Sequence, residues 1–365
     1  MTYPSPIQET LAQYELAMGA THEESNREGA ATGQFQSGVL TEFLPWGDDG
    51  CFILATAGIV ELEYAAIQKS VGVFDAPCRG TIEITGKDRL DCIGRMTTQK
   101  VETMKTGEAL LAFVTSRKGS VVADVIVRLF EDRILLDVDI SVVAQLVDHL
   151  KSYVVMEEVS IENRTSSIHW LWCLGPEAHN VTIDGFQQQP LPTALLGIEG
   201  VAYMVSPEQV EDVWEAILAS KGKPIGWYAL NMARVEQGAP LFMVDFDNHN
   251  LPHETNVVSS RVRFDKGCYL GQEIVARMES LGKPKKKIIR LKMETDDLPI
   301  AGTQLWEEET ASGTPIGVIT SSAISPLGGS LPAVIAMVGK KHNNEGTEVY
   351  MYVGSEIVQG KVVAL

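Results

Sequence analysis

The sequence predicts an α+β protein in two parts, a mixed helix-and-strand body over residues 1–285 and an all-β domain over residues 286–365. Three observations carry this. The chain has 365 residues, and at about 100–200 residues per domain that is two or three domains with room for substantial cores. From residue 61 onward, segments with helical spacing take turns with segments of period-two alternation. After Gly282-Lys283-Pro284 the helical spacing stops, and short apolar runs separated by Gly-rich turns replace it.

The elements follow in order. Residues 1–50 are Gly- and Ala-rich, and only residues 9–18 read as a short helix. Helical spacing runs through residues 61–67 and breaks at Gly72. Thr81-Ile82-Glu83-Ile84-Thr85 alternates as a strand, and Gly86-Lys87-Asp88 leads into a helix carrying Leu90, Ile93 and Met96. Residues 121–130 are β-rich, with residues 134–138 as their hairpin partner, and residues 141–153 form an amphipathic helix with Val142, Val143, Leu146 and Leu150 on one face. Ser206-Pro207-Glu208-Gln209 reads as a helix start, because Ser can cap, Pro fits the first turn and Gln can close a capping box. Val210, Val213, Trp214 and Ile217 continue that helix, and another covers residues 228–236. Beyond residue 285, Ile289, Leu291 and Met293 alternate with Arg290 and Lys292, and apolar runs follow at 317–319, 333–338 and 349–353. This is the pattern of a small all-β barrel or sandwich of about 75 residues.

Charge and composition exclude several functions. With 30 Lys plus Arg against 48 Asp plus Glu the formal net charge is -18, so the chain lacks the positive field that extended contact with nucleic acid or an anionic membrane needs. The longest apolar run, residues 51–60, is about half of a membrane span. The first residues lack the basic and apolar regions of a signal peptide. The expectation is a soluble, cytoplasmic protein. The five cysteines, at 51, 78, 92, 173 and 268, are odd in number and contain no C-x-x-C, so neither a disulfide framework nor a zinc knuckle is expected. Residues 80–87 have the wrong glycine spacing for a phosphate loop. His249 and His253 flank Pro252 without the Glu of a zinc-binding helix, and no metal site is expected. Lys283, Lys285, Lys286, Lys287, Arg290 and Lys292 form the one basic cluster. It reads either as a solvated linker entering an edge strand or as a local contact for a polyanion such as RNA or a polyglutamate tail.

The informative segment is Lys266-Gly267-Cys268-Tyr269-Leu270-Gly271-Gln272-Glu273, leading into an expected helix through Arg277. A thiol at a helix start, with Lys266 beside it, would have its thiolate favoured by the helix dipole and by the nearby cations. Such a thiolate is a nucleophile, a redox handle or a soft-metal ligand. A lone cysteine is also an ordinary packing residue, and the residues alone leave both readings open. The other four cysteines are expected in the core.

K-G-C-Y-x-G-Q-E resembles the signature of the YgfZ branch of the folate-binding superfamily founded by the glycine-cleavage T-protein, an aminomethyltransferase. Other blocks follow in the family's order. Val71-Gly72-Val73-Phe74-Asp75, Ile84-Thr85-Gly86-Lys87-Asp88 and the stretch from Met96 to Val101 look like the family's early motifs. Residues 119–127 resemble G-G-x-x-D-D-x-x-V, Ala233-Arg234-Val235-Glu236-Gln237-Gly238 resembles A-R-x-E-x-G, and Leu251-Pro252-His253-Glu254 resembles the x-P-x-E that follows. The resemblance spans roughly residue 55 to the end.

It implies a T-protein-like folate-binding body over residues 1–285, with subdomains around a central cavity, and a C-terminal β-barrel over residues 286–365. It implies tetrahydrofolate or a related reduced folate as cofactor. A pterin presents adjacent N–H donors to a carboxylate, needs apolar walls for its ring, and carries a glutamate tail that calls for Arg or Lys. Asp124 falls at the family's folate-facing carboxylate, and Arg234 at the arginine of A-R-x-E-x-G. Glu199, Glu254, Lys266 and Tyr269 complete the expected folate site, and Asp124 and Cys268 are the candidate catalytic residues. Two departures matter: Ala123 replaces the first acid of D-D, and the G-Y-T-G-E block of aminomethyltransferases is not legible around Glu199. They favour a tetrahydrofolate-binding protein that supports iron–sulfur cluster assembly or repair, with assembly factors or client enzymes such as tRNA-modifying iron–sulfur enzymes as partners. The alternative is a tetrahydrofolate-dependent aminomethyl or one-carbon transferase, so enzyme activity stays open. No membrane partner is expected, and nucleic acid only locally through Lys283 to Lys292.

Overall fold

The computed structural model describes residues 5–8, 10, 11, 42–47, 50–282 and 284–363; all but two residues of the helix expected over 9–18, and Lys283 of the basic cluster, lie outside them. In chain order the strands of the body are β1 (Glu42–Trp46), β2 (Cys51–Thr56), β3 (Gly72–Asp75), β4 (Arg79–Thr85), β5 (Ala109–Thr115), β6 (Val121–Leu129), β7 (Arg133–Asp139), β8 (Ser160–Asn163), β9 (His169–Leu174), β10 (Gln188–Leu191), β11 (Gly200–Val205) and β12 (Lys223–Pro224). The helices are α1 (Val60–Lys69), α2 (Arg89–Met96), α3 (Val143–Lys151), α4 (Val210–Ala219), α5 (Trp227–Glu236), α6 (Val258–Arg261) and α7 (Gln272–Leu281). The last six strands are β13 (Lys286–Met293), β14 (Gln304–Leu305), β15 (Gly317–Ser325), β16 (Leu331–Gly339), β17 (Glu348–Val353) and β18 (Glu356–Val363).

The chain divides into two compact units, each assembled from separate stretches. The first takes the described residues up to Gly80 with Arg164–Leu191 and Glu199–Leu230. Its sheet runs β10-β11-β9-β3-β12, and α4 lays Val210, Val213, Trp214 and Ile217 into a core shared with Leu171, Cys173, Val201 and Tyr203. β9, His-Trp-Leu-Trp-Cys-Leu, is buried along its whole length. A strand covered on both faces shows no alternation, which is why it carries no period-two signal in the sequence. The capping box expected at Ser206 does not form. A 3-10 turn at Pro207–Gln209 precedes the helix, and the Ser206 hydroxyl donates to Gln209 Oε1 at 3.1 Å instead.

The second unit takes Thr81–Asn163, Pro192–Ile198 and Asn231–Leu365. One of its sheets runs β5-β6-β7-β4-β8, with α2 burying Cys92, Ile93 and Met96 and α3 burying Val143, Leu146 and Leu150. All nine residues of the inner strand β6 are buried, Asp124 and Arg128 among them. Charges in a buried strand have to be matched. Arg128 meets Asp137 of β7 at 3.0 Å, and Asp124 is taken up below. The last six strands form a sheet in the order β14-β15-β16-β13-β18-β17. Trp306 and Tyr350 exchange backbone hydrogen bonds of 2.8 and 2.9 Å next to its two edges, so the sheet is a nearly closed barrel around Ile289, Leu291, Val334, Ala336, Val349 and Met351. The α+β body and C-terminal barrel read from the sequence are both present.

One contact fixes where the octapeptide runs. The β5–β6 hairpin turns through Gly119 (φ +74°), and α7 begins after Gly271 (φ +80°). A Cβ on Gly271 would lie 2.3 Å from Ser116 O, and one on Gly119 would lie 2.8 Å from Ile274 Cβ. Two glycines with left-handed backbone therefore let the hairpin turn and the start of α7 touch through their main chains. Gly271→Ala is expected to cost at least about 1–3 kcal/mol, read as a lower urea midpoint. An unchanged midpoint would remove this contact from the account.

Candidate functional site

The octapeptide is held by main-chain and ammonium contacts to the end of α2. The last carbonyls of a helix lack intrahelical partners and carry the negative end of its dipole. Lys266 fills that place, with Nζ donating to Gly94 O at 2.5 Å and Thr97 O at 2.7 Å while lying 5.2 Å over the Tyr269 ring. Burial pushes its pKa down to about 8, with Glu102 opposing the shift. Two residues past the cysteine, Leu270 N donates to Arg95 O at 3.0 Å, and the Thr115 hydroxyl donates to Leu270 O at 2.5 Å.

Cys268 lies midway between these anchors and is exposed, whereas Cys51, Cys78, Cys92 and Cys173 are buried. The thiol does not stand at the helix mouth as expected. Left-handed Gly271 delays α7 until Gln272, leaving Cys268 four residues ahead of it in irregular chain. Helix-dipole activation of the thiol therefore falls away. What adjoins Cys268 instead is a cavity of about 260 Å³ lined by Cys92, Arg95, Met96, Tyr153, Cys268, Tyr269 and Leu270. Arg95 pairs with Glu157 at 2.7 Å and Asp91 at 3.0 Å, and the guanidinium holds the Glu157 carboxyl at about 2. The Tyr269 hydroxyl is buried with no hydrogen-bond partner among the described residues, and burial pushes it up to about 12.

Asp124 has a different setting. Its carboxylate faces Arg261 of α6, with Nε 3.4 Å from both oxygens and Nη2 3.3 Å from Oδ2. The guanidinium is fully buried, and its Nη1 also donates to Ala194 O at 2.9 Å and Ser260 Oγ at 2.7 Å. Arg261 thus ties β6, α6 and the short segment around Ala194 to one charge. Sequence reasoning missed this residue, because an arginine in Val-Val-Ser-Ser-Arg-Val-Arg carries no motif that separates it from a surface cation.

The remaining candidates fall elsewhere. Arg234 is fully buried, and its guanidinium bonds Asp245 at 2.7 Å, Ser321 Oγ at 2.7 Å and Ala239 O at 3.1 Å. It braces α5 against the barrel. Glu254 is buried and accepts from Asn250 Nδ2 at 2.9 Å and Leu251 N at 3.2 Å, closing its own turn. Glu199 is exposed and belongs to the other compact unit. The structure therefore places Cys268 and Tyr269 at one cavity, with Lys266 over the Tyr269 ring, and pairs Asp124 with Arg261. A second cavity, of about 480 Å³, is lined by Ser116, Ser120, Val121, Val122, Gln145, His149, Asn248 and His249. Among the described residues no cluster of three or more His, Cys, Asp or Glu is arranged to hold a metal, and no helix is long and apolar enough to cross a membrane.

Comparison with known proteins agrees with this architecture. Residues 22–194 match the GCVT N-terminal domain. The aminomethyltransferase of Chloroherpeton thalassium is 24% identical over 331 residues, covering 83% of this chain and 88% of that protein. The aminomethyltransferase of Thermus thermophilus is 26% identical over 299 residues, covering 75% and 81%. The crystal structure of glycine cleavage system aminomethyltransferase T from Bartonella henselae superposes with a TM-score of 0.78 at 20% identity, covering 89% of this chain and 93% of that one. The chain has the GCVT-like fold, and over residues 22–194 it is similar to the GCVT N-terminal domain.

Two outcomes follow. Brief iodoacetamide treatment with peptide mapping should label Cys268 well before the four buried cysteines; labelling no sooner than Cys51, Cys78, Cys92 and Cys173 would contradict its exposure. Arg261→Met removes the guanidinium that faces the buried Asp124, and breaking a buried ion pair costs about 3–5 kcal/mol. The urea midpoint should fall accordingly and recover in part when Asp124→Asn is added, whereas a fall of equal size in the double variant would show that the ion pair is not the cause.

Proposed function

We propose that this T-protein-like protein binds tetrahydrofolate or a related reduced folate and, like the YgfZ branch it resembles, supports the assembly or repair of iron–sulfur clusters. The observation that carries the reading is the contrast between the two candidate catalytic residues. Cys268 is presented to solvent by a loop anchored on both sides. Asp124 is buried against Arg261, next to Ala123 where the family pattern has the first acid of its pair. A general base has to be able to take a proton from its substrate, and a carboxylate whose oxygens face a guanidinium is better suited to binding than to proton transfer.

The donor set suits a folate. Asp124 is a buried, charge-matched acceptor on an inner strand, the kind of group that receives the paired N–H donors of a pterin. Bound reduced folate would supply nitrogens able to carry a one-carbon unit. Arg261 would keep Asp124 in place, and Lys266 would hold the Cys268 loop on α2. In this reading Arg234 and Glu254 brace the fold through their buried networks, Tyr269 walls the cavity beside Cys268, and Glu199 is a carboxylate open to a ligand. The proposed partners are the folate and cluster-assembly or client proteins that meet the Cys268 loop.

The second reading, an aminomethyl or one-carbon transferase, draws on the names of the curated relatives. One pair of variants separates the two. If the protein is an assembly factor, Cys268→Ser should abolish its support of iron–sulfur enzyme activity in cells that depend on it, while Asp124→Asn, which keeps the side chain's size and hydrogen-bonding capacity, should be much the milder change. A transferase would instead lose about 10²–10⁴-fold in turnover through Asp124→Asn and tolerate Cys268→Ser. That second pattern would reverse the assignment.

A further inference from the structure

Cys268 does not stand alone at its cavity. Cys92 lines the same 260 Å³ space, and the geometry of the loop explains why. The two anchors that flank Cys268 both land on the end of the helix that carries Cys92: Lys266 on Gly94 O and Thr97 O, and Leu270 on Arg95 O, one helical turn beyond Cys92. Cys268 is thereby held beside the cavity that Cys92, Arg95 and Met96 of α2 line. The two thiols differ as members of a working pair differ. Cys268 is exposed, and Gly267 before it has open space around it, with nothing within 4 Å of the position a Cβ would take. Cys92 is buried on the rigid helix, where burial pushes its thiol up while the nearby Arg95 guanidinium opposes the shift. The walls are mostly apolar or sulfur-bearing, and Arg95 is the one cation among them.

We propose that Cys268 and Cys92 form a redox-active dithiol that reduces small organic disulfides. In the first step the Cys268 thiolate attacks one sulfur of the disulfide. The external S–S bond breaks, a bond from Cys268 Sγ to the ligand sulfur forms, and the first thiol departs as thiolate and takes a proton from water. In the second step Cys92 gives up its proton, its sulfur attacks Cys268 Sγ, and the second thiol leaves. One disulfide is reduced to two thiols, and the two cysteine thiols are oxidised to a Cys92–Cys268 disulfide. The exposed thiol makes first contact and the buried one resolves. The confined second step has the advantage of an intramolecular reaction, which offsets the weaker ionisation of a buried thiol. A cavity of this size admits one half of a small disulfide and not a large peptide.

The test uses the full chain and 2-hydroxyethyl disulfide. After incubation, remaining thiols are trapped with iodoacetamide, and peptides are mapped without reduction. The pair should appear as a Cys92–Cys268 linked peptide, with Cys51, Cys78 and Cys173 recovered as alkylated thiols. Cys92→Ala should stop at the mixed disulfide of Cys268 with 2-mercaptoethanol, and Cys268→Ala should leave Cys92 unmodified. A wild-type protein that stops at the Cys268 mixed disulfide, that links Cys268 to any other cysteine, or that leaves Cys268 unmodified would overturn the proposal. The wild-type result decides by itself, so the outcome does not depend on how well the Cys92 variant folds.

Discussion

Everything proposed for the octapeptide depends on one interaction, the ammonium of Lys266 set against the terminal carbonyls of α2. A helix end has orphan acceptors and a negative partial charge, and a buried amine has a charge that needs acceptors; each satisfies the other. Partial burial of the ammonium pushes the Lys266 pKa down to about 8. With Leu270 bonded to Arg95 on the far side, the cysteine between them is held beside the cavity that α2 helps to line. The close approach of Gly119 and Gly271 then fixes the loop from the other direction, by bringing the hairpin turn against the start of α7.

The second constraint is a charge in the wrong place for stability. Asp124 sits in the middle of a strand whose every residue is buried. An apolar residue there would fold at least as well, since a buried ion pair seldom repays its desolvation. The chain instead retains the carboxylate and provides Arg261, which spends its other donor on Ala194 O and Ser260 Oγ. A carboxylate kept at such cost, in the T-protein-like fold, is the feature on which the folate reading rests. The contrast with Arg128 and Asp137, a fully buried pair between neighbouring strands β6 and β7, is informative. That pair joins two strands of one sheet, whereas Asp124 and Arg261 join a strand to a helix and a loop far away in sequence.

Much of this was legible from residue order. The hairpin of β6 and β7, the helices at 89–96 and 210–219, and the alternating strand that opens the barrel all carry periodicities that survive folding. β9 was not legible, because a strand covered on both faces has no alternation. The octapeptide marked the site, but its geometry could not be read. Gly271 reads as a helix residue in Cys-Tyr-Leu-Gly-Gln-Glu until its left-handed backbone is seen, and that shift of the helix start removes the dipole from Cys268 and gives it a cavity instead. Arg261 and Cys92 were invisible for a related reason: each lies far in sequence from the residue it meets, 137 positions from Asp124 in one case, and only the fold brings them together.

The central claim, that the body built around Asp124 holds a reduced folate, is tested most directly by calorimetric titration of the purified protein with tetrahydrofolate. The account predicts saturable heat at micromolar to sub-millimolar ligand, about 4–8 kcal/mol of binding free energy. No detectable binding of any folate form at millimolar concentration would contradict it.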